Sequence, residues 1–321
     1  MKQLFNTIVG LTLALGLLPS CGGKPNPYAK TGEDYKQAVK CFATDESLSP
    51  IMDEQAAAFT NKTHRELFPL YMSEQEAIEK LLNIDVYMAI TTRRLTPNEE
   101  KSIKNKQHNP RTMALAYDAI ALIVNKDNPD SVMVVDNFKK ILTGEVTRWK
   151  EIYPETTLDD TIRVAFDNPR SSAVRFCNDS ILRGQTMKTS GNIRAQETTR
   201  LVIDYVEKHK NAIGIIGSNW LDNNRDTTSL TYGRGIKVMA VGYRPDVAYE
   251  PLQYWIAYGK YPFIRTIYAI CTDPREPRSG GDQRRFLHYL TNPGEQGQLI
   301  FFNAGFFPAQ ADLEERNVVL R

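Results

Sequence analysis

Ala165–Phe176 reads AFDNPRSSAVRF, and its hydrophobic period changes in the middle. Ile162, Val164 and Phe166 alternate with Arg163 and Ala165, the period of a strand, whereas Ala173, Phe176, Cys177 and Ile181 recur at helical spacing. The polar segment between them is therefore a strand-to-helix turn. Pro169 cannot donate to a ladder, and Ser171 or Ser172 can cap the helix that follows, leaving the backbone N–H groups of its first turn pointing outward. Such a terminus attracts anions.

The same change of period recurs along the chain. Strand-like Val39–Ala43 precedes a helix near Pro50–Thr60, and a helix over Ser73–Leu82 precedes a strand over Val86–Ile90. Met113–Val124 is a long apolar run, followed by helical Val135–Leu142, the strand Ile162–Phe166, helices over Ser172–Leu182 and Thr198–Lys208, and the strand Ala212–Ile216. This alternation predicts an α/β fold with mostly parallel sheets. Ligands of such folds sit at the carboxyl ends of strands, on the loops that lead into helices. Three loops have that address: Thr44–Pro50, Thr91–Thr96 and the opening stretch. Each is rich in hydroxyls, and the second and third add arginine. One such loop alone would be an ordinary capped helix; three together suggest a shared anion seat, with Thr44, Ser47, Thr91, Thr92, Ser171 and Ser172 as hydroxyl donors and Arg93 and Arg170 as charged contacts. Arg94 and Arg175 are weaker candidates, since Arg175 can pair with Asp179 one turn on.

The N-terminus carries Lys2, an apolar run from Leu4 to Leu18, and then Leu18-Pro19-Ser20-Cys21. That run is shorter than the roughly 20 residues of a membrane span and reads as a signal peptide. The Cys21 context resembles a bacterial lipobox, which implies a lipid-carrying Cys21 and a Pro-rich polar tether behind it. The formal net charge is +2, from 40 Lys and Arg against 38 Asp and Glu, and removal of the leader takes away only Lys2. No basic surplus argues for nucleic acid. Cys41, Cys177 and Cys271 remain, far apart and odd in number, compatible with one disulfide and a spare thiol or with three apolar thiols. The four histidines lack ligand spacing, so neither a metal nor a cofactor is expected. There is no Gly-x-Ser-x-Gly and no P-loop, which speaks against an enzyme such as an exported phosphatase. The aromatic run Tyr254, Trp255, Tyr258, Tyr261 and Phe263 reads as packing rather than as a stacking platform for a sugar.

Taken in order, AITTRRLT (Ala89–Thr96), AYDAIALIVN (Ala116–Asn125), ILTG (Ile141–Gly144) with WK (Trp149–Lys150), DNPRSS (Asp167–Ser172), NAIGIIG (Asn211–Gly217), YPFIRTIY (Tyr261–Tyr268), GQLI (Gly297–Ile300) and GFFP (Gly305–Pro308) resemble the phosphate-binding components of ABC importers, which are type II periplasmic binding proteins. The resemblance implies a two-lobed α/β fold with two crossings and an anion cleft between the lobes. It implies inorganic phosphate or a similar oxyanion as ligand, the permease subunits of an ABC transporter as partners, and a monomer on the periplasmic side of the envelope, held to the membrane by lipid. Mapped onto this chain, 1–20 is the signal peptide, 21–37 the tether, 38–117 the first part of lobe 1, 118–250 lobe 2, and 251–321 the return to lobe 1.

Two departures qualify the ligand. Where better-known members have Ser-Gly-Thr, this chain has Arg170-Ser171-Ser172, and its first loop carries Asp45 and Glu46. A carboxylate about 4 Å from one unit of anion charge is repelled by roughly 4 kcal/mol at an effective dielectric near 20. Either these acids face away toward an arginine, or one accepts the proton of a monohydrogen phosphate, or the ligand is another anion or an organic phosphate. Acidic side chains filling the seat would point instead to an envelope scaffold with a degenerate cleft.

Overall fold

The computed structural model describes residues 38–188, 191–221, 235–272 and 281–310. Cys21 and the stretches expected to be a signal peptide and a tether lie outside them. The strands run, in chain order, β1 (Cys41–Asp45), β2 (Phe68–Met72), β3 (Met88–Thr91), β4 (Arg111–Asn125), β5 (Val132–Val134), β6 (Arg163–Phe166), β7 (Ile193–Ala195), β8 (Ala212–Gly217), β9 (Ile236–Val238), β10 (Ala240–Arg244), β11 (Val247–Tyr249), β12 (Ile264–Cys271) and β13 (Phe307–Pro308).

Strand β4 organises the molecule. At roughly 3.3 Å per residue its 15 residues reach about 50 Å, long enough to serve two sheets. Its first half, Arg111–Ala119, pairs with β12, while Ile120–Val124 pairs with β8 and Ile123–Asn125 with β9. The result is one continuous order, β2-β1-β3-β12-β4-β8-β6-β7, that belongs to one lobe up to β12 and to the other from β8 onward. The chain crosses between lobes in β4 and again before β12, where the Ile120 N–H donates to the Phe263 carbonyl at 2.9 Å and the Tyr261 hydroxyl to the Ile120 carbonyl at 2.7 Å. A smaller sheet, β11-β10-β5, flanks the second lobe.

The sheets are mixed rather than mostly parallel. Pairs β1–β2, β1–β3, β6–β7 and β6–β8 are parallel, but every ladder that β4 makes is antiparallel, as is β12–β3. The reason is the crossing itself: β4 carries the chain out of lobe 1, and the returning chain enters β12 from the lobe 2 end, so the two strands run in opposite senses.

Both faces of the long sheet are covered in each lobe, which is why its central strands are apolar without alternation. In lobe 1, Phe42 packs with Phe59, Phe286 and Phe301 on one face, and Ala43 with Ile78, Leu81 and Ile270 on the other. In lobe 2, Leu122, Ile213, Phe138 and Trp149 form one face, and Ile123, Val202 and Ile216 the other. Tyr261 and Phe263 are buried in the lobe 2 cluster with Phe138 and Trp149, so packing is the role of that end of the aromatic run; Tyr254 lies tilted against Trp255 and is exposed. Cys41, Cys177 and Cys271 are free thiols, the last two buried.

Helix starts follow the sequence closely. Pro50 stands in the first turn of the helix Ser49–Thr63, and Ser73 and Thr96 form capping boxes with Glu76 and Glu99. The helix predicted over Ser172–Leu182 is α-helical only through Phe176 and continues as a π-helix over Cys177–Leu182. The helices Ser49–Thr63, Ser172–Phe176 and Thr199–Lys208 begin beyond the carboxyl ends of β1, β6 and β7, so their N-termini converge where the lobes meet.

Candidate functional site

The centre of the interlobe seam is built from β1 and the turn after it, the start of the helix at Ser172, and a charged pair on β4 and β12. Asp45 ends β1, and its side chain accepts from the Ser47 N–H at 2.9 Å, closing the short turn Glu46–Leu48. Ser172 opens its helix across the seam, with Ser171 as the N-cap accepting from the Val174 N–H. The two hydroxyls, Ser47 Oγ and Ser172 Oγ, stand 3.2 Å apart.

Arg265 completes the centre. It lies directly opposite Asp118 in the β12–β4 register, donates to Asp118 Oδ2 through Nε at 2.9 Å and Nη2 at 2.7 Å, and turns Nη1 to Ser172 Oγ at 2.8 Å. Its Nη2 is 3.5 Å from Ser47 Oγ. Both charges are buried, and the Ser218 hydroxyl takes the other Asp118 oxygen. Gly217 makes the approach possible, since a Cβ there would stand 2.7 Å from Arg265 Nη2 and 2.6 Å from Asn219 Oδ1. Asn219 and Trp220 both donate to the Ser47 carbonyl, which fixes the first loop against lobe 2.

The acids of the first loop do not pair with arginine. Glu46 accepts from the Thr199 N–H at 3.1 Å and its hydroxyl at 2.8 Å, a cross-lobe cap on the helix Thr199–Lys208. Asp45 points into the seat: Oδ1 accepts from Ser172 Oγ at 3.1 Å and Oδ2 from the Ser172 N–H at 3.0 Å. Burial raises the Asp45 carboxyl above its ordinary range, with the Glu74 charge adding to it and Ser47, Arg265 and the Ser172 N–H opposing. Burial likewise raises Glu46, against the Thr199 donors. Behind them Asp167, just past β6, is buried, and burial and the Asp45 charge push it up to about 7 against Ser171 and the Asn168 backbone.

A second set of contacts ties the lobes together beside the centre. Glu74 accepts from the Thr92 N–H at 2.6 Å and the Thr92 hydroxyl at 2.8 Å, and its other oxygen takes Arg175 Nε. Arg175 also reaches Thr92 Oγ1 at 2.8 Å and pairs with Asp179 as its helical spacing suggests. Arg170 holds Glu79 at 2.6 Å and Glu76 at 3.4 Å. Arg93 makes two bonds to Glu99, at 2.7 and 2.8 Å, which hold the Glu99 carboxyl below its usual range, and Arg94 lies over the Tyr268 ring.

The structure thus brings Ser47, Ser171 and Ser172 to the centre, with Thr91 and Thr92 buried on the adjacent wing. Thr44 is buried behind Asp45, its hydroxyl 3.5 Å from the Asp45 carbonyl, and the Thr91 hydroxyl donates to the Arg93 carbonyl at 2.9 Å. The guanidinium groups of Arg93 and Arg170 are spent on carboxylates outside the centre, and the one that faces the serines is Arg265. Sequence reasoning passed over Arg265 and Asp118, which stand 147 positions apart. The available signal was one charge of each sign inside the apolar runs AYDAIALIV and PFIRTIYAI. Among the described residues no group of His, Cys, Asp and Glu could hold a metal ion, and no helix is long and apolar enough to cross a membrane.

Known proteins share this frame. The phosphate-binding protein PstS of Staphylococcus saprophyticus is 23% identical over 310 residues, spanning 95% of this chain and 89% of that one. Its counterpart in Staphylococcus haemolyticus is 24% identical over 229 residues, 68% of each. Among solved structures, a putative phosphate ABC transporter substrate-binding protein with bound phosphate from Clostridium perfringens superposes with a TM-score of 0.68 at 19% identity, over 84% of this chain and 99% of that one. An ABC-type phosphate transport receptor from Vibrio cholerae gives 0.60 at 17%, over the same shares. The profile of the PBP superfamily domain matches residues 32–293, most of the chain, and with the two lobes and their seam in place this protein belongs to that superfamily.

Proposed function

We infer that this chain is the substrate-binding protein of an ABC importer and that its interlobe seat takes inorganic phosphate. One observation carries the reading: a buried guanidinium, Arg265, converges with the Ser47 and Ser172 hydroxyls and the Ser172 N–H from both sides of one seam. These are the donors an oxyanion requires, drawn from loops that only closure of the lobes brings together. Micromolar capture needs about 8 kcal/mol, within reach of a few charge-assisted bonds of roughly 1.5 to 3 kcal/mol each. The names of the relatives, all phosphate-binding proteins or phosphate transport receptors, favour the same ligand.

In this reading 38–117 and 251–321 form the lobe that closes on 118–250. Lipid on Cys21 and the tether 21–37 hold the receptor at the periplasmic side of the envelope, as a monomer that permease subunits recognise when closed. Arg93 and Arg170 then shape the lobe surfaces, and Ser47, Ser171, Ser172 and Arg265 hold the ligand, with Thr91 and Thr92 at its edge. The buried acid Asp167 disfavours a fully deprotonated oxyanion and tolerates one that keeps a proton.

Calorimetry on the mature chain with Cys21→Ser tests this: one saturable site for phosphate that sulfate does not compete for is expected, and flat heats at millimolar phosphate would end the reading. A thermal-shift panel of other oxyanions and organic phosphates identifies a different ligand of the same seat. The position of Asp45 among the donors favours a second reading, an envelope scaffold whose cleft is satisfied by its own carboxylate. That protein would show no stabilisation by any member of the panel.

A further inference from the structure

We propose that Asp45 is a tethered competitor of the ligand: its carboxylate takes the hydrogen bonds of the Ser47 and Ser172 amides that an oxyanion would take, draws the lobes together by itself, and has to leave before phosphate seats. This rests on the phosphate reading of the seat and adds to it a residue that sets affinity and governs closure.

The geometry is specific. Three donors reach the two Asp45 oxygens: the Ser47 N–H at 2.9 Å, the Ser172 hydroxyl at 3.1 Å and the Ser172 N–H at 3.0 Å. Two of them belong to the opposite lobe, so the bond set spans the seam as a bound anion would. Arg265 donates to the same Ser172 hydroxyl, which places its positive charge beside the carboxylate. A carboxylate carries one charge and two acceptor oxygens where phosphate carries more of both, so the free anion can win, but the tethered group starts with a high effective concentration. Apparent affinity falls by the fraction of molecules in which Asp45 has vacated the donors.

The groups around Asp45 give the device a pH dependence. Glu46 stands on its own turn, Glu74 on the adjacent helix, Asp118 on β4 and Asp167 just past β6, and among the described residues the facing cation is Arg265 on β12. Three of the acids are buried with it, and burial and Glu74 raise its carboxyl. Lowering the pH therefore protonates Asp45 more readily than an exposed aspartate and releases the Ser47 and Ser172 amides, which bind a neutral carboxyl less strongly than a carboxylate.

The experiment compares the mature chain carrying Cys21→Ser with its D45A and D45N variants, by titration calorimetry with inorganic phosphate and by small-angle scattering with and without phosphate. Expected are a tenfold or greater gain in phosphate affinity in both variants, and a gap between wild type and D45N that narrows as the pH falls from 8 to 5.5. Wild type should keep the same radius of gyration in phosphate-free buffer as in phosphate, while D45A should expand without phosphate and contract on adding it. Tenfold weaker binding by D45N would make Asp45 a partner of the ligand and overturn the proposal. So would equal affinities together with a compact, phosphate-free D45A. If no form binds phosphate, the phosphate reading fails separately, and scattering still decides closure: an expanded D45A supports self-closing by Asp45, and a compact one overturns it.

Discussion

Asp167 sits in an environment at odds with a charged carboxylate. It is buried, and burial and the Asp45 charge push its carboxyl up to about 7, with Ser171 and the Asn168 backbone opposing only weakly. Because the folded state holds this proton more tightly than the unfolded chain, stability from the group is complete below the unfolded value near 3.8. It is lost as pH rises through the folded value near 7. Asp167→Asn should therefore raise the unfolding midpoint at pH 8 by several degrees, against a ceiling of about 4 kcal/mol, and change it little at pH 4. Melting curves of both forms across that range check the sign. Arg265 and Asp118 obey the other rule of buried charge: breaking the pair leaves one ion uncompensated. Arg265→Ala should cost about 3–5 kcal/mol in urea unfolding and abolish phosphate binding, whereas D118L/R265M should recover most of the stability and none of the binding. Neither pair partner was singled out from sequence, because a strand register joins them and no local spacing does. Arg93 and Arg170 were singled out because they follow strand ends, but a nearby carboxylate decides where a long guanidinium turns, and Glu99, Glu76 and Glu79 were already in place.

At the scale of elements, what the sequence encodes locally was legible. Capping residues and the change from period two to period 3.6 place the helix starts at Ser49, Glu74, Ser172 and Thr199, and with them the strands β1 and β6; β2 and β7, which precede the second and fourth of these helices, carry no such signal and were not predicted. The π-helical continuation over Cys177–Leu182 was not legible, since over six residues Cys177, Ile181 and Leu182 suit either winding. Nor was the antiparallel pairing of β4, which depends on the return of a chain segment far along the sequence. One element end is decisive for the seat. Gly217 closes β8 where Arg265 passes it, in ordinary backbone conformation, so the glycine serves close approach rather than a turn. Gly217→Ala would set a methyl group 2.7 Å from Arg265 Nη2 and move the guanidinium off the serines. We expect phosphate affinity to fall tenfold or more while the unfolding midpoint moves by only a few degrees. Calorimetry and melting of the same sample separate the two effects, and a variant that binds normally would show that Arg265 has room to spare.

For the whole molecule, the question is whether two lobes behave as one cooperative unit. A hinge made of thin linkers would let them unfold separately, but here the crossing is a continuous strand laddered on both sides and flanked by core. Phe263 contacts both Phe138 and Phe176 beside β4, and Tyr261 bonds to Ile120 at the point where β4 changes partners. Across the seam, Glu46–Thr199, Glu74–Arg175, Arg170–Glu79 and Asp45–Ser172 add contacts that are lost when either lobe unfolds. The expectation is a single calorimetric transition with matching calorimetric and van't Hoff enthalpies. Phosphate at about 100 times its dissociation constant should add roughly 2.7 kcal/mol, moving that one transition upward by about 5–10 °C without splitting it. Two resolved transitions would mean that β4 transmits no cooperativity. If phosphate then shifted only one of them, its contacts would lie within a single lobe, and the convergence of Arg265, Ser47 and Ser172 on a common ligand would be lost.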